Sequence, residues 1–294
     1  KIIIEAGFPR DSIIVVTGHS KMIGDEFVEN PKVALITFTG STKVGLDLAS
    51  RAIARGKRVI MELGGSDAMI ILEDADLNRA VQAATVGRFD YAGQFCNATK
   101  RVIVREEIYD EFVKRLTESV SRLKIGDPLL EDTDIGPLIT KDAVNTMESF
   151  VQDALSKGGK IIYRAPKVPD RGFYYPPTIL EAPFEARVWK EEVFGPVLPV
   201  TRVKDDEEAV EIANNTEYGL DASIFTRDFS RAYRIASRIK AGTVMINDTT
   251  RLRFDNLPFG GMKKSGKRKR HNDRNERNKG NSISIIITLF NNLI

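Results

Sequence analysis

A thiol and several carboxylates in this sequence stand beside glycine turns, where a side chain can be presented for chemistry. Cys96 lies within Gly93-Gln-Phe-Cys-Asn-Ala98 and is the chain's one cysteine. A thiolate is a strong nucleophile. Gly93 permits a sharp turn that would leave the thiol at the base of a cleft, with Gln94 and Asn97 keeping its surroundings polar. The other reading is a small buried hydrophobe, the usual fate of a lone cysteine. Neither His19 nor His271 sits in a context that makes it a partner base, so cysteine–histidine hydrolysis fits poorly. Glu62 follows Val59-Ile-Met61 and precedes Leu63-Gly-Gly65. Desolvation at a buried strand end would raise its pKa toward that of a general base, whereas a solvated strand-end glutamate would do nothing.

Three further segments carry polar groups of the right kind. Phe38-Thr-Gly-Ser-Thr-Lys-Val-Gly45 follows a strand and opens a helix. Gly40 and Gly45 let the backbone turn and approach a ligand, and Ser41 adds a hydroxyl to the free amides of the helix start, an arrangement suited to a dinucleotide phosphate. Gly-Ser-Thr turns also open helices that bind nothing. Glu191-Glu-Val-Phe-Gly-Pro196 sets Glu192 and Phe194 before a rigid turn. The carboxylate can accept hydrogen bonds from ribose hydroxyls and the ring can pack on a nicotinamide, or the segment is a charged helix end. Arg251, Arg253 and Asp255 precede Pro258-Phe-Gly-Gly261 and would line a substrate mouth or be solvated loop charges.

The elements that must position these residues alternate. Ile13–Val16, Val33–Phe38 and Lys57–Met61 read as strands, with a helix over 42–55 between the second and third. Strand, helix and strand on short links imply a parallel sheet. Met69–Leu72 then leads into a helix over 77–89. Two amphipathic helices follow, over 107–124 and 141–157, each apolar on one face at three- to four-residue spacing. After a Pro-rich stretch over 165–183 come strands at 197–200, 222–225 and 243–246, separated by helices over 207–214 and 229–240.

Composition excludes several alternatives. With 42% apolar and 29% charged residues among 294, the chain can bury a core and is not a disordered polymer. One cysteine and two histidines argue against a disulfide framework and against a Cys/His zinc site, so no metal is expected. This cysteine usage fits a reducing, cytoplasmic setting. The longest apolar run, 283–290, is too short to span a bilayer, so no membrane partner is expected. The net charge of +3 comes from residues 267–294, where seven Lys/Arg face two acids; residues 1–266 hold 37 basic and 39 acidic residues, a net of −2. A basic cluster confined to one end does not make the chain a nucleic-acid binder.

These motifs in this order resemble the aldehyde dehydrogenase superfamily. The resemblance runs from about residue 1 to Gly266. It rests on Glu-Leu-Gly-Gly and Gly-Gln-x-Cys, with Glu62 and Cys96 34 residues apart, on Glu-Glu-Val-Phe-Gly-Pro, and on Pro-Phe-Gly-Gly-x-Lys-x-Ser-Gly over 258–266. It implies an α/β fold in which the end of a Rossmann-type cofactor domain (1–65) precedes an α/β catalytic domain (66–266), with 267–294 a non-family basic tail.

By resemblance, Cys96 is the nucleophile and Glu62 the general base. Gly40, Ser41 and Gly45 lie under the pyrophosphate of NAD or NADP, while Glu192 and Phe194 hold the nicotinamide ribose and ring. The expected activity is oxidation of a small, polar or anionic aldehyde to its acid through a cysteine-bound thiohemiacetal and thioester, with Arg251 and Arg253 as substrate residues. Homo-oligomers are implied by the family. The resemblance also implies sequence ahead of residue 1, carrying the first βαβ units, a lysine for the adenosine ribose and an asparagine for the oxyanion. The alternative reading is a catalytically silent remnant that acts at most as a binding fragment. A shifted reading frame after codon 266 is the hypothesis for the abrupt change to Lys, Arg and Asn; if no other frame of the DNA restores a Gly-Arg-Glu-Gly-like continuation, it fails.

Overall fold

The computed structural model describes residues 1–267 and 284–287. Its first part holds helices α1 (Ile2–Glu5) and α2 (Ser20–Glu29), strand β1 (Leu35–Thr39), helix α3 (Thr42–Ala54) and strand β2 (Arg58–Glu62). Then come β3 (Asp67–Ile71), α4 (Leu77–Phe89), β4 (Thr99–Arg105), α5 (Glu106–Ser121) and α6 (Lys141–Ser156). They are followed by β5 (Lys160–Arg164), β6 (Thr178–Glu181), β7 (Val197–Val203) and α7 (Asp206–Asn214). The last elements are β8 (Asp221–Phe225), α8 (Phe229–Ala236), β9 (Thr243–Ile246), β10 (Gly266–Lys267) and β11 (Ser284–Ile287).

Two sheets result. The smaller has the order β1-β2-β10. β1 and β2 are parallel, with Thr39 opposite Glu62, and β10 returns antiparallel with Gly266 opposite Glu62. Its core is small: Val28, Ile36, Ala52, Met61 and Leu63. The larger sheet runs β11-β9-β8-β3-β4-β7-β6-β5, parallel throughout except for the β5–β6 pair. This is the α/β fold with a parallel sheet that the alternation of elements predicts. β3 and β8 are wholly buried along their length; after an opening aspartate β3 reads as a continuous apolar run and β8 as one broken only by Ser223, as central parallel strands do. Helix starts are capped by side chains in the usual way: Asp76 on Arg79 N, Thr140 on Ala143 N, Asp205 on Glu208 N and Asp228 on Arg231 N.

Some local expectations are corrected. Ile13–Val16 is not in a strand, and its side chains are exposed, Val15 at 84%. β propensity alone does not make a strand; the backbone needs a neighbour to pair with, and no described strand lies beside this segment. β4, at the centre of the larger sheet, carries no clear sequence signal because it opens with Thr99-Lys-Arg101. α2, β5 and β6 likewise stand where no element was expected. Residues 284–287, within the stretch read as a tail, lie parallel to β9. The rest of that stretch, 268–283 and 288–294, lies outside the described residues. Among the described residues no helix is long and apolar enough to cross a membrane, and no cluster of His, Cys, Asp or Glu is arranged to hold a metal ion.

Candidate active site

Cys96 sits on the connection between α4 and β4, and the backbone there is bent hard. Tyr91, Ala92 and Gly93 take φ of 50°, 53° and 72°. Two non-glycine residues in the left-handed region cost about 1–2 kcal/mol each, so the surroundings must hold them. Arg88 does much of this. Its buried guanidinium donates to the carbonyls of Gly93 (2.7 Å), Val193 (3.1 Å) and Thr99 (3.3 Å), and burial pushes its pKa down to about 9. A Cβ at Gly93 would collide with that guanidinium. Gln94 and Asn97 are scaffolding: Gln94 Nε2 donates to Tyr91 O and Pro137 O while its Oε1 accepts from Ile139 N. Asn97 and Thr250 exchange two hydrogen bonds, Asn97 Nδ2 to Thr250 O (2.8 Å) and Thr250 Oγ1 to Asn97 O (2.7 Å).

Cys96 itself is half-buried. Burial pushes its thiol pKa up, the nearby Lys100 ammonium opposes that, and Asp67, Asp221 and Glu192 push it further up. Lys100 is fully buried at the start of β4. It donates to Cys96 O (2.6 Å) and Phe95 O (2.8 Å) and faces Glu192 Oε1 at 3.9 Å. Burial pulls the Lys100 pKa down, against the pull of Asp67 and Glu192.

Glu192 is anchored from the other side by Gly65, whose N–H donates to Oε1 at 3.0 Å. A Cβ on Gly64 would collide with the Glu192 carboxylate, and one on Gly65 would crowd the Cys96 carbonyl. Glu62-Leu-Gly-Gly65 therefore runs from the end of β2 straight between the Cys96 loop and Glu192, and both glycines are demanded by close approach. Glu62 is half-buried and also faces Asp221. Phe194, two residues past Glu192, is 42% exposed.

At the start of α3, Ser41 caps Val44 N. Thr42 Oγ1 accepts from Gly64 N (3.1 Å) and donates to Lys264 O (3.4 Å), which ties this helix start to the same glycines. The amides of Thr42 and Lys43 have no acceptor within the helix and can meet an anion. Gly40 and Gly45 are needed for packing within the chain: a Cβ at Gly45 would strike Leu63, and one at Gly40 would strike Phe38.

The two arginines part company. Arg251 lies 3.4 Å above the Phe95 ring, next in sequence to Cys96, and 3.5 Å from Asp90. Arg253 lies over Phe259, at 4.6 Å.

Sequence reasoning passed over the residues beneath the loop. Asp67 and Asp221 open β3 and β8 and are buried; Asp67 Oδ1 accepts from Asp221 N at 3.2 Å. Burial and mutual repulsion hold the Asp67 carboxyl well above the usual carboxylate range, and burial pushes Asp221 up to about 7. Arg101 donates to Ser66 O (2.7 Å), Ile212 O (2.8 Å) and Ala213 O (2.9 Å). The available signal was charge placed at the head of apolar strands, where a solvated residue has no reason to be.

Comparison with known proteins gives a consistent picture. The model of the aldehyde dehydrogenase family matches residues 1–277, past Gly266. Lactaldehyde dehydrogenase of Methanocaldococcus jannaschii is 42% identical over 86% of this chain and 53% of its own length. The NADP(+) succinate-semialdehyde dehydrogenase of Escherichia coli is 40% identical over 90% of this chain and 55% of its own. The crystal structure of lactaldehyde dehydrogenase from Escherichia coli superposes with a TM-score of 0.86 at 37% identity, over 90% of this chain and 56% of that one. The chain thus spans about half the length of the curated relatives it matches.

Proposed function

Because this chain belongs to the aldehyde dehydrogenase family, we propose that the Cys96 loop, Glu62 and Glu192 form the core of a site that oxidises an aldehyde to its acid with NAD or NADP. One observation carries the reading: Gly64 and Gly65, two and three residues after Glu62, pack against both the Cys96 carbonyl and the Glu192 carboxylate. Nucleophile, base and ribose-binding carboxylate are thereby assembled by one tight backbone passage.

The donor set suits a dinucleotide. Glu192 offers a carboxylate fixed by the Gly65 N–H, Phe194 an exposed ring, and Ser41 with the α3 amides an anion-binding helix start. A bound nicotinamide would supply the hydride acceptor. The chain's own residues do the rest. Burial keeps the Cys96 thiol protonated near neutral pH, so Glu62 takes its proton directly or through a water. The sulfur adds to the aldehyde carbonyl carbon, and once the hydride has left that carbon the acyl group remains on sulfur as a thioester. Glu62 releases that proton to solvent, takes a new one from the water that attacks the thioester, and returns it to the departing sulfur. The carboxylic acid leaves and the thiol is restored.

Arg251 supports a small polar or anionic aldehyde as substrate, since its guanidinium lies on Phe95 beside the nucleophile. Two of the matched relatives are named for lactaldehyde and succinate semialdehyde. The test is reduced-nicotinamide formation by the purified chain with acidic and neutral aldehydes and both cofactors. Turnover is expected with the wild type and none with Cys96→Ser. Arg251→Met should lower kcat/KM for an acidic aldehyde about tenfold or more relative to a neutral one, the worth of a charged hydrogen bond, while Arg253→Met should leave the ratio unchanged. Equal turnover by Cys96→Ser would refute the assignment.

A further inference from the structure

The mechanism above leaves one buried group unused, and it touches the nucleophile's own peptide. Lys100 is fully buried, yet its ammonium spends its donors on carbonyls, Phe95 O, Cys96 O and, at 3.5 Å, Ala98 O. A cation buried this way persists only where nearby acids compensate it. Glu192 stands 3.9 Å away, and Asp67 acts on it most strongly of all the charges around it. Asp67 opens β3 and is paired in register with Thr99, the residue before Lys100 on β4, so the two strands bring acid and base together at adjacent positions.

We propose that Lys100 is a positioning residue: its ammonium grips the Phe95 and Cys96 carbonyls, on either side of the nucleophile's Cα, is held in place by Asp67 and Glu192, and supplies the positive charge that favours the Cys96 thiolate. The inference rests on the reading of Cys96 as the nucleophile. The arrangement also explains why the loop tolerates left-handed residues at Tyr91 and Ala92, since Lys100 and Arg88 hold it from below at the carbonyls of Gly93, Phe95, Cys96, Ala98 and Thr99, and Arg88 ties it across to Val193 O. The groups facing Cys96 are Lys100 on β4, Asp67 on β3, Asp221 on β8 and Glu192 ahead of β7; Arg251 interacts with it from the segment after β9. Arg88 on α4 acts on Glu192 and Asp67, and Glu62 on β2 acts on Asp221. Acids outnumber cations around the thiol, which makes the one ammonium count.

Cys96 is the chain's only thiol, so alkylation by iodoacetamide reads it alone, without any need for aldehyde turnover. The rate is followed against pH for the full chain and for Lys100→Met, Asp67→Asn and the double variant, with near-UV circular dichroism to check folding. Lys100→Met is expected to move the midpoint up by about one pH unit, so that alkylation below the midpoint is about tenfold slower. Asp67→Asn is expected to move it down, and the double variant to return toward the wild type. A merely structural lysine would loosen the loop and speed alkylation without moving the midpoint. The proposal is overturned if folded Lys100→Met keeps the wild-type midpoint, or if the double variant lies no closer to the wild type than Lys100→Met does. Should Lys100→Met not fold, an Asp67→Asn midpoint equal to the wild type's overturns it instead. Wild-type Cys96 that alkylates with the expected charge dependence in a chain without turnover would count against the aldehyde reading alone.

Discussion

Replacing Asp221 by Asn should change how the stability of this fold depends on pH. Asp221 is 5% exposed at the head of β8, and burial pushes its carboxyl up to about 7. In the unfolded chain the same carboxyl titrates near about 3.9. Between about pH 4 and pH 7 the unfolded chain has therefore released a proton that the folded chain still holds. Stability falls as pH rises through this window and is flat above it. About three pH units at about 1.4 kcal/mol each gives a loss of up to about 4 kcal/mol by pH 8. Asparagine cannot ionise, and its amide can still bond Thr243 and Asn97, the side chains that hydrogen-bond Asp221. The variant should match the wild type near pH 4 and exceed it increasingly up to pH 7. Glu148, which hydrogen bonds from Arg164, Gln152 and Tyr175 hold down at about 2, stabilises the fold fully above about pH 4.5 and lies outside the window. Urea unfolding of both proteins at pH 5, 6, 7 and 8 measures the difference. A difference that stays constant from pH 5 to pH 8 refutes the reasoning.

Two further outcomes are expected. Gly64→Ala puts a methyl group where the Glu192 carboxylate lies; losing the charged Gly65–Glu192 hydrogen bond should raise the cofactor KM about 10- to 150-fold, equivalent to about 1.5–3 kcal/mol. Arg88→Met leaves the carbonyls of Gly93, Thr99 and Val193 without their donor; it should cost about 3–5 kcal/mol in urea unfolding, and a loss below about 1 kcal/mol would show that the loop holds itself.

Candidate chemistry stands out in this sequence more than the scaffolding does. Cys96, Glu62 and Glu192 stand next to glycines and prolines, which punctuate a sequence locally and make motifs visible. α4 and β9 lie over 77–89 and 243–246, where periodicity and a β-branched run put them. β4 was missed although it lies at the middle of the sheet, because Lys100 and Arg101 look like surface residues until their carbonyl partners are known. Arg101's partners, Ser66, Ile212 and Ala213, lie far along the chain, and no local pattern records them. The reverse error was made at Ile13–Val16, where the residues have strand character but nothing described beside them to pair with. Arg251 and Arg253 were indistinguishable in sequence; only the ring beneath each separates them.

The return of the chain at β10 has a consequence for the order in which the site comes into being. Glu62 is synthesised well before Gly266, yet its strand gains its second neighbour only when Gly266 arrives, and Leu63 N waits for the carbonyl of Ser265. Asn97 likewise waits for Thr250. A nascent chain therefore carries base and nucleophile with these supports absent until Thr250 and Gly266 have been made. The Cys96 thiol is thus more open to oxidation and adduct formation before residues 250–266 join the fold than after.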